Sequence, residues 1–139
     1  ILANAATLAG HIVIDDWAIV GGLAAVHQFV HIGGHAFISG GGMARKDVPP
    51  FCKAGREPLA FAGVNAIGLR RRGFSNERIN AIQEIYRIIF LRGRNITQSI
   101  NYIEANIPAT PDRDEILTFI ANSQRGIMKG YMKMKDNRI

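Results

Sequence analysis

Divided into sixes from Leu2, the chain puts Leu2, Leu8, Ile14, Val20, Val26, Ile32, Ile38 and Ala44 in the first place of successive hexads. The fifth places are Ala6, Ile12, Ala18, Ala24, Val30, Ala36, Gly42 and Val48, all small or apolar. A helix would need apolar residues at i+3 and i+4, and Asp15, Asp16, His27 and Gln28 break that spacing. A half-buried strand would alternate every second residue instead. With 47% of residues hydrophobic, an aliphatic in all of these first places is far from accidental. A six-residue repeat is the mark of a parallel β-helix, in which short strands turn corners and three hexads close one triangular coil. First-place side chains fill the prism, and fifth-place side chains share that interior and so must be small. Gly21, Gly22, Gly33 and Gly34 are expected at corners, where the backbone takes positive φ or approaches the next coil. Residues 1–48 then form a β-helix remnant of fewer than three coils, with a bare strand edge at Ile1.

The pattern changes at "KDVPPF", where Pro49 and Pro50 cannot donate to a strand ladder and should end the stack. Residues 49–62 are expected to be a connecting loop, and 63–139 a C-terminal helical domain. One stripe is Ile79, Ile82, Tyr86 and Ile89, with Ser75 as N-cap and Gly93 past the end. Ile96, Ile100, Ile103 and Ile107 make a second stripe, stopped by Pro108. A third helix starts at cap Thr110 with Pro111 in first position and ends before Gly126. The tail "KGYMKMKDNRI" is basic and expected to fray.

The chain has 139 residues, enough for one domain or two small units in contact. It lacks an initiating methionine and a basic leader, and enters in phase with the repeat, so it is expected to be part of a longer protein. No apolar run is long enough to span a bilayer, so no transmembrane segment is expected. A single cysteine, Cys52, excludes an internal disulfide and a CxxC pair, and suggests a reducing, cytoplasmic setting. No metal site and no cofactor are expected. The net charge is +6, yet residues 1–40 carry no Lys or Arg, and all 17 basic residues lie from Arg45 onward. Arg70, Arg71, Arg72, Arg78, Arg87, Arg92 and Arg94 crowd one stretch. Such a half suits an anionic partner, without choosing among a phosphorylated small molecule, an acidic protein, nucleic acid or a membrane surface.

"ILANAATLAGH", "AVHQF", "DVPPF" and "GVNAIGLRRRGFS", in this order, resemble the C-terminal half of the UDP-N-acetylglucosamine acyltransferase family of lipid A synthesis. The resemblance runs along essentially the whole chain and is strongest over residues 1–75. It implies a left-handed parallel β-helix of hexapeptide repeats followed by a C-terminal α-helical domain, assembled as a homotrimer with active sites between neighbouring prisms. It also implies transfer of a 3-hydroxyacyl chain from acyl carrier protein to the 3-hydroxyl of UDP-N-acetylglucosamine, this being the first step of lipid A synthesis. The chemistry needs an imidazole base, because a sugar hydroxyl is a weak nucleophile, and an amide facing the oxyanion. By motif, Gly10 matches the oxyanion amide, and His11, His27 and Gln28 match groups around the nucleotide sugar. Gly40 matches the floor of the acyl groove, and Asn65, Arg71 and Arg72 match contacts to the UDP portion, where guanidinium suits a diphosphate.

Two departures accompany the match. Many members carry glutamate two residues after the asparagine of "GVN", where this chain has Ile67. The family's general-base histidine falls before "ILAN" and is absent from the chain, which is therefore expected to be inactive alone. His31 and His35 match no motif and read as ordinary corner residues. Two other functions fit the residues less well. A sister hexapeptide acyltransferase with another acceptor would end differently from "GVN" and "RRRGF". A basic module that binds nucleic acid would need stacking aromatics among its arginines, and there is little beyond Phe74, so no nucleic-acid partner is expected.

Overall fold

The computed structural model describes residues 1–91 and 93–130; Arg92 and the basic tail from Tyr131 lie outside the described residues. Seven two-residue strands recur every six residues: β1 (Thr7–Leu8), β2 (Val13–Ile14), β3 (Ile19–Val20), β4 (Ala25–Val26), β5 (His31–Ile32), β6 (Phe37–Ile38) and β7 (Met43–Ala44). Each pairs in parallel with a strand one coil away, Thr7 with Ala25, Val13 with His31, Ile19 with Phe37 and Ala25 with Met43. The result is the expected three-sided prism. Val20, Val26, Ile32 and Ile38 fill it from the first places, and Ala18, Ala24, Val30 and Ala36 from the fifth. Leu2 and Leu8, first places of the opening coil, stay 53% and 37% exposed, because no coil covers that end.

The corners differ from expectation. Gly21, Gly22, Gly33 and Gly34 are not left-handed; the positive φ falls at the fourth place of each hexad, on Ala5, His11, Trp17, Leu23, Phe29, His35 and Gly41. An L-residue there costs roughly 1–2 kcal/mol. The cost is offset because the corner N–H groups of Leu23, Phe29, His35 and Gly41 donate to the carbonyls of Asn4, Gly10, Asp16 and Gly22 on the coil before. Gly21 and Gly33 serve the other expected purpose, close approach. A methyl on Gly21 would lie 2.6 Å from the Ile38 carbonyl oxygen, and one on Gly33 would lie 2.7 Å from Pro50 Cα.

Residues 49–62 are not a loop, and the prolines do not end the stack. β8 (Cys52–Gly55) pairs in parallel with β6, Phe37 with Lys53 and Ile38 with Ala54, and extends the third face by one strand. That pairing spans 16 residues where the other coils span 18, so the hexad count breaks while the prism continues. The two residues are lost between Ala44, which pairs with Val26, and Val48, which bridges to Ile32, whereas the next corner, Phe51 at φ 68°, keeps the six-residue spacing. β9 (Ala60–Val64) folds back antiparallel on β8, so the helices begin at Ala66 and not at Gly63.

α1 (Ala66–Arg71), α2 (Asn76–Leu91), α3 (Ile96–Asn106) and α4 (Pro111–Asn122) follow. Ser75 Oγ accepts from the Arg78 amide at the start of α2, and Thr110 caps α4 with Pro111 in first position. Ile79, Ile82, Tyr86 and Ile89 are buried as one stripe, whereas Ile96 of the second stripe is 38% exposed at the first turn of α3. Polar contacts dock this half on the prism. Tyr86 Oη donates to the Pro50 carbonyl at 2.5 Å. Asp47 accepts from the His31 amide at 2.8 Å and from Ser123 Oγ at 2.5 Å.

Two outcomes follow from this packing. Gly33→Ala, forced against Pro50, should lower unfolding stability by about 2–3 kcal/mol, whereas Gly41→Asn, left-handed with open space around it, should stay within about 1 kcal/mol; denaturant titration measures both. Cys52 is fully buried and its thiol pKa is pushed up by desolvation, so it should resist alkylation in the native protein and react once unfolded, as intact mass will report.

Candidate active site

Corner geometry decides where each candidate side chain stands. The edge between the β1-β4-β7 face and the β2-β5 face carries Gly10, His11, His27 and Gln28. Gly10 and Gln28 lie over one another, since a methyl on Gly10 would meet Gln28 Nε2 at 3.6 Å. His11, held outward by φ 57°, stacks on Phe29 with centroids 5.0 Å apart and planes 8° apart. His11, His27, Gln28 and Phe29 are all exposed. The Gly10 N–H donates to no acceptor among the described residues, and neither do those of Asn4, Asp16, Gly22 and Gly34 in equivalent corner places. A free amide is therefore common to these corners, and glycine leaves it uncovered at Gly10, Gly22 and Gly34 alike; among those three, Gly10 is the one that shares its edge with His11, His27 and Gln28.

Gly40 stands on a different edge, above Gly22, between the third face and the first. Asn65 and Arg72 pack at the remaining edge, against His35. Asn65 is buried and committed: its Oδ1 accepts from the Gly68 amide at 3.3 Å as the N-cap of α1, and its Nδ2 donates to the His35 carbonyl at 3.0 Å. Arg71 is exposed, and its guanidinium has no hydrogen-bond partner among the described residues. Arg70 is taken by Asn76 Oδ1 at 3.2 Å. Ile67 is 65% exposed on α1. One chain thus brings Gly10, His11, His27 and Gln28 together, and Asn65 near Arg72, but leaves these groups and Gly40 on three separate edges.

The two histidines without a motif are the more engaged ones. His31 Nε2 donates to Asp15 Oδ2 at 2.8 Å, and its ring meets Phe119 of α4 at 4.6 Å. His35 holds Asn65 and Arg72, stacks on Trp17 and Phe51, and meets Phe74 edge to face. Hexad phase puts His35 at a corner, but only the docking of α1 makes it a partner of the arginine. Next to it, an open cleft of about 450 Å³ is lined by Ile14, Asp15, Asp16, Trp17, Gly34, His35 and Glu115. Burial, with Asp112 and Asp15 adding to it, raises the Glu115 carboxyl above its usual range. No group of three or more His, Cys, Asp or Glu among the described residues is placed to hold a metal ion, and no helix among them is long and apolar enough to cross a membrane.

Known proteins resemble this chain in sequence and in fold. The family described as Udp N-acetylglucosamine O-acyltransferase, domain 2, matches residues 47–128. The acyl-[acyl-carrier-protein]–UDP-N-acetylglucosamine O-acyltransferase of Leptothrix cholodnii is 42% identical over 135 residues, covering 93% of this chain and 51% of that protein. The crystal structure of the UDP-N-acetylglucosamine acyltransferase of Bacteroides fragilis superimposes with a TM-score of 0.89 at 48% identity, over 91% of this chain and 49% of that one. The Arabidopsis UDP-N-acetylglucosamine acyltransferase gives a TM-score of 0.86 at 33% identity, over 92% and 48%. The chain spans about half the length of the curated relatives it matches. Its fold is the left-handed parallel β-helix with C-terminal helices found in these structures. On sequence and structure together, the chain belongs to the UDP-N-acetylglucosamine O-acyltransferase family.

Proposed function

We propose that this chain is the C-terminal part of an enzyme that moves a 3-hydroxyacyl group from acyl carrier protein to the 3-hydroxyl of UDP-N-acetylglucosamine, in the cytoplasm, as the first step of lipid A synthesis. The observation that carries the proposal is the match to UDP-N-acetylglucosamine acyltransferases over more than nine-tenths of the chain, at up to 48% identity. The Gly10 amide faces the oxyanion formed when the sugar oxygen attacks the thioester carbonyl. His11, His27 and Gln28 line the nucleotide-sugar side. Gly40 opens the floor of the acyl groove. Asn65, Arg71 and Arg72 serve the UDP portion, with Asn65 acting chiefly by holding α1 in place.

The three-edge distribution supports a homotrimer. Residues on separate edges of one prism can meet only if a neighbouring prism presents its edge across a groove. Val13, Trp17, Leu23 and Phe29 are each more than half exposed on the prism surface, which suits burial between copies. The proton acceptor for the sugar hydroxyl comes from coils outside this chain, which also cover Leu2 and Leu8.

Incubation with 3-hydroxyacyl carrier protein and UDP-N-acetylglucosamine should yield the 3-O-acylated sugar nucleotide when the chain is extended to the length of its relatives, and none with residues 1–139 alone. Mass spectrometry of the nucleotide pool checks both halves, and turnover by the short chain would refute the assignment of the base. In the extended enzyme, Arg71→Ala should raise KM for the sugar nucleotide about tenfold, the weight of one charge-assisted contact, with unfolding stability unchanged because the guanidinium bonds nothing among the described residues.

A further inference from the structure

His35 joins the prism to the helical half through both its backbone and its ring. Its N–H donates to the Asp16 carbonyl at 3.1 Å, and its own carbonyl accepts from Asn65 at 3.0 Å, so the left-handed corner is fixed from both sides. The ring lies parallel to Trp17 (6.3 Å, 15°) and Phe51 (5.7 Å, 21°), with Phe74 against its edge at 5.1 Å. Its Nδ1 lies 3.0 Å from Arg72 Nη1, and the same guanidinium sits 5.6 Å from the centre of the Trp17 ring. We propose that His35 is the positioning residue for Arg72, holding its guanidinium by Nδ1 against Trp17 so that the charge is aimed at the diphosphate of the sugar nucleotide. This deepens the functional proposal and rests on its assignment of Arg72 to the UDP portion.

The chemistry favours an imidazole in this place. Arginine has donors only, so Nδ1 must be the acceptor and the ring proton must sit on Nε2, leaving the ring neutral. A carboxylate would also hold the guanidinium, but it would cancel the charge that an anionic ligand needs. Carboxylates are close by: Asp15 and Asp16 from the preceding corner and Glu115 from α4 line the same cleft as His35 and Trp17. A neutral acceptor between rigid rings keeps Arg72 committed without neutralising it. The surroundings keep the ring neutral. Burial first, then Arg72 at the end of α1 and Arg78 on α2, hold its pKa below the ordinary value of about 6.5, opposed by Asp112 on α4. As pH falls toward that lowered value, the ring gains a proton, Nδ1 ceases to accept and the imidazolium repels Arg72. The diphosphate diester of a sugar nucleotide takes up no proton in this range, so weakening there reports on the protein.

Steady-state kinetics of the enzyme extended to the length of its relatives test this, with UDP-N-acetylglucosamine varied between about pH 5 and 8 for the wild type, His35→Phe, His35→Asn and Arg72→Ala. Phenylalanine fits a left-handed corner, as Phe29 does at φ 67°, and keeps the stack but removes the acceptor. Asparagine places Oδ1 near the position of Nδ1. His35→Phe should raise KM about tenfold with kcat within about twofold, and His35→Asn should restore KM to within about threefold. The wild-type KM should climb on the acid side, and that climb should vanish in His35→Asn. An unchanged KM in His35→Phe, or an acid climb that persists in His35→Asn, overturns the inference; the second comparison decides alone should His35→Phe not fold. If Arg72→Ala raises KM while His35→Phe does not, positioning fails and the functional assignment stands. If Arg72→Ala leaves KM unchanged, the assignment of Arg72 fails and positioning falls with it.

Discussion

One left-handed residue in every six sets the geometry of this molecule. With φ near +60° at the fourth place of each hexad, the chain turns at regular intervals and the strands between turns are only two residues long. Such strands cannot hold a sheet by themselves. They persist because each pairs with another one coil away, and because the corner amides bond the coil before. The same constraint directs the corner side chains outward and stacks them coil upon coil. His11 over Phe29, Trp17 over His35 and His35 over Phe51 are products of that stacking. Interior places can therefore be nearly uniform aliphatics, while chemical variety collects at the edges.

That division explains which features were legible in the chain. The prism could be read because its interior obeys one rule, an aliphatic in first place and a small residue in fifth. The left-handed corners could not be read, because Ala5, Trp17, Leu23 and His35 share no chemistry; what they share is a place in a ladder. Glycines attract attention as the usual left-handed residues, but Gly21 and Gly33 are needed for clearance from the next coil. The continuation through β8 was hidden for a related reason. A coil shortened to 16 residues and carrying two prolines loses hexad phase but keeps its ladder, since the parallel pairing of Lys53 and Ala54 needs only the backbone.

The candidate site shows the same limit. Motifs pick out Gly10, His11, His27, Gln28, Gly40, Asn65, Arg71 and Arg72, and the fold distributes them over three edges of one prism. The motifs do not reveal what supports them. His35 lies 37 residues from Arg72 in sequence, and Asp47 lies 76 from Ser123. No periodicity relates such pairs; they meet because α1 and α4 dock where they do.

Docking of the helical half relies on buried or half-buried polar bonds as well as on apolar packing, and the distinction matters for a site at the joint. Apolar faces slide at little cost, whereas a polar group that loses its partner on burial costs about 1–3 kcal/mol. Asn65 caps α1 and bonds His35, Tyr86 bonds Pro50, and Asp47 bonds both His31 and Ser123. Arg78, its guanidinium 3.8 Å above the Phe74 ring, grips Asp112 with two nitrogens at 2.7 and 2.9 Å and so ties α2 to α4. A shift of α1 by even one residue would break the Asn65 and Arg72 contacts together. The prism edge is thereby a ruler for the helix, and an arginine at the end of a six-residue helix gains the fixed position that so short an element could not give it alone.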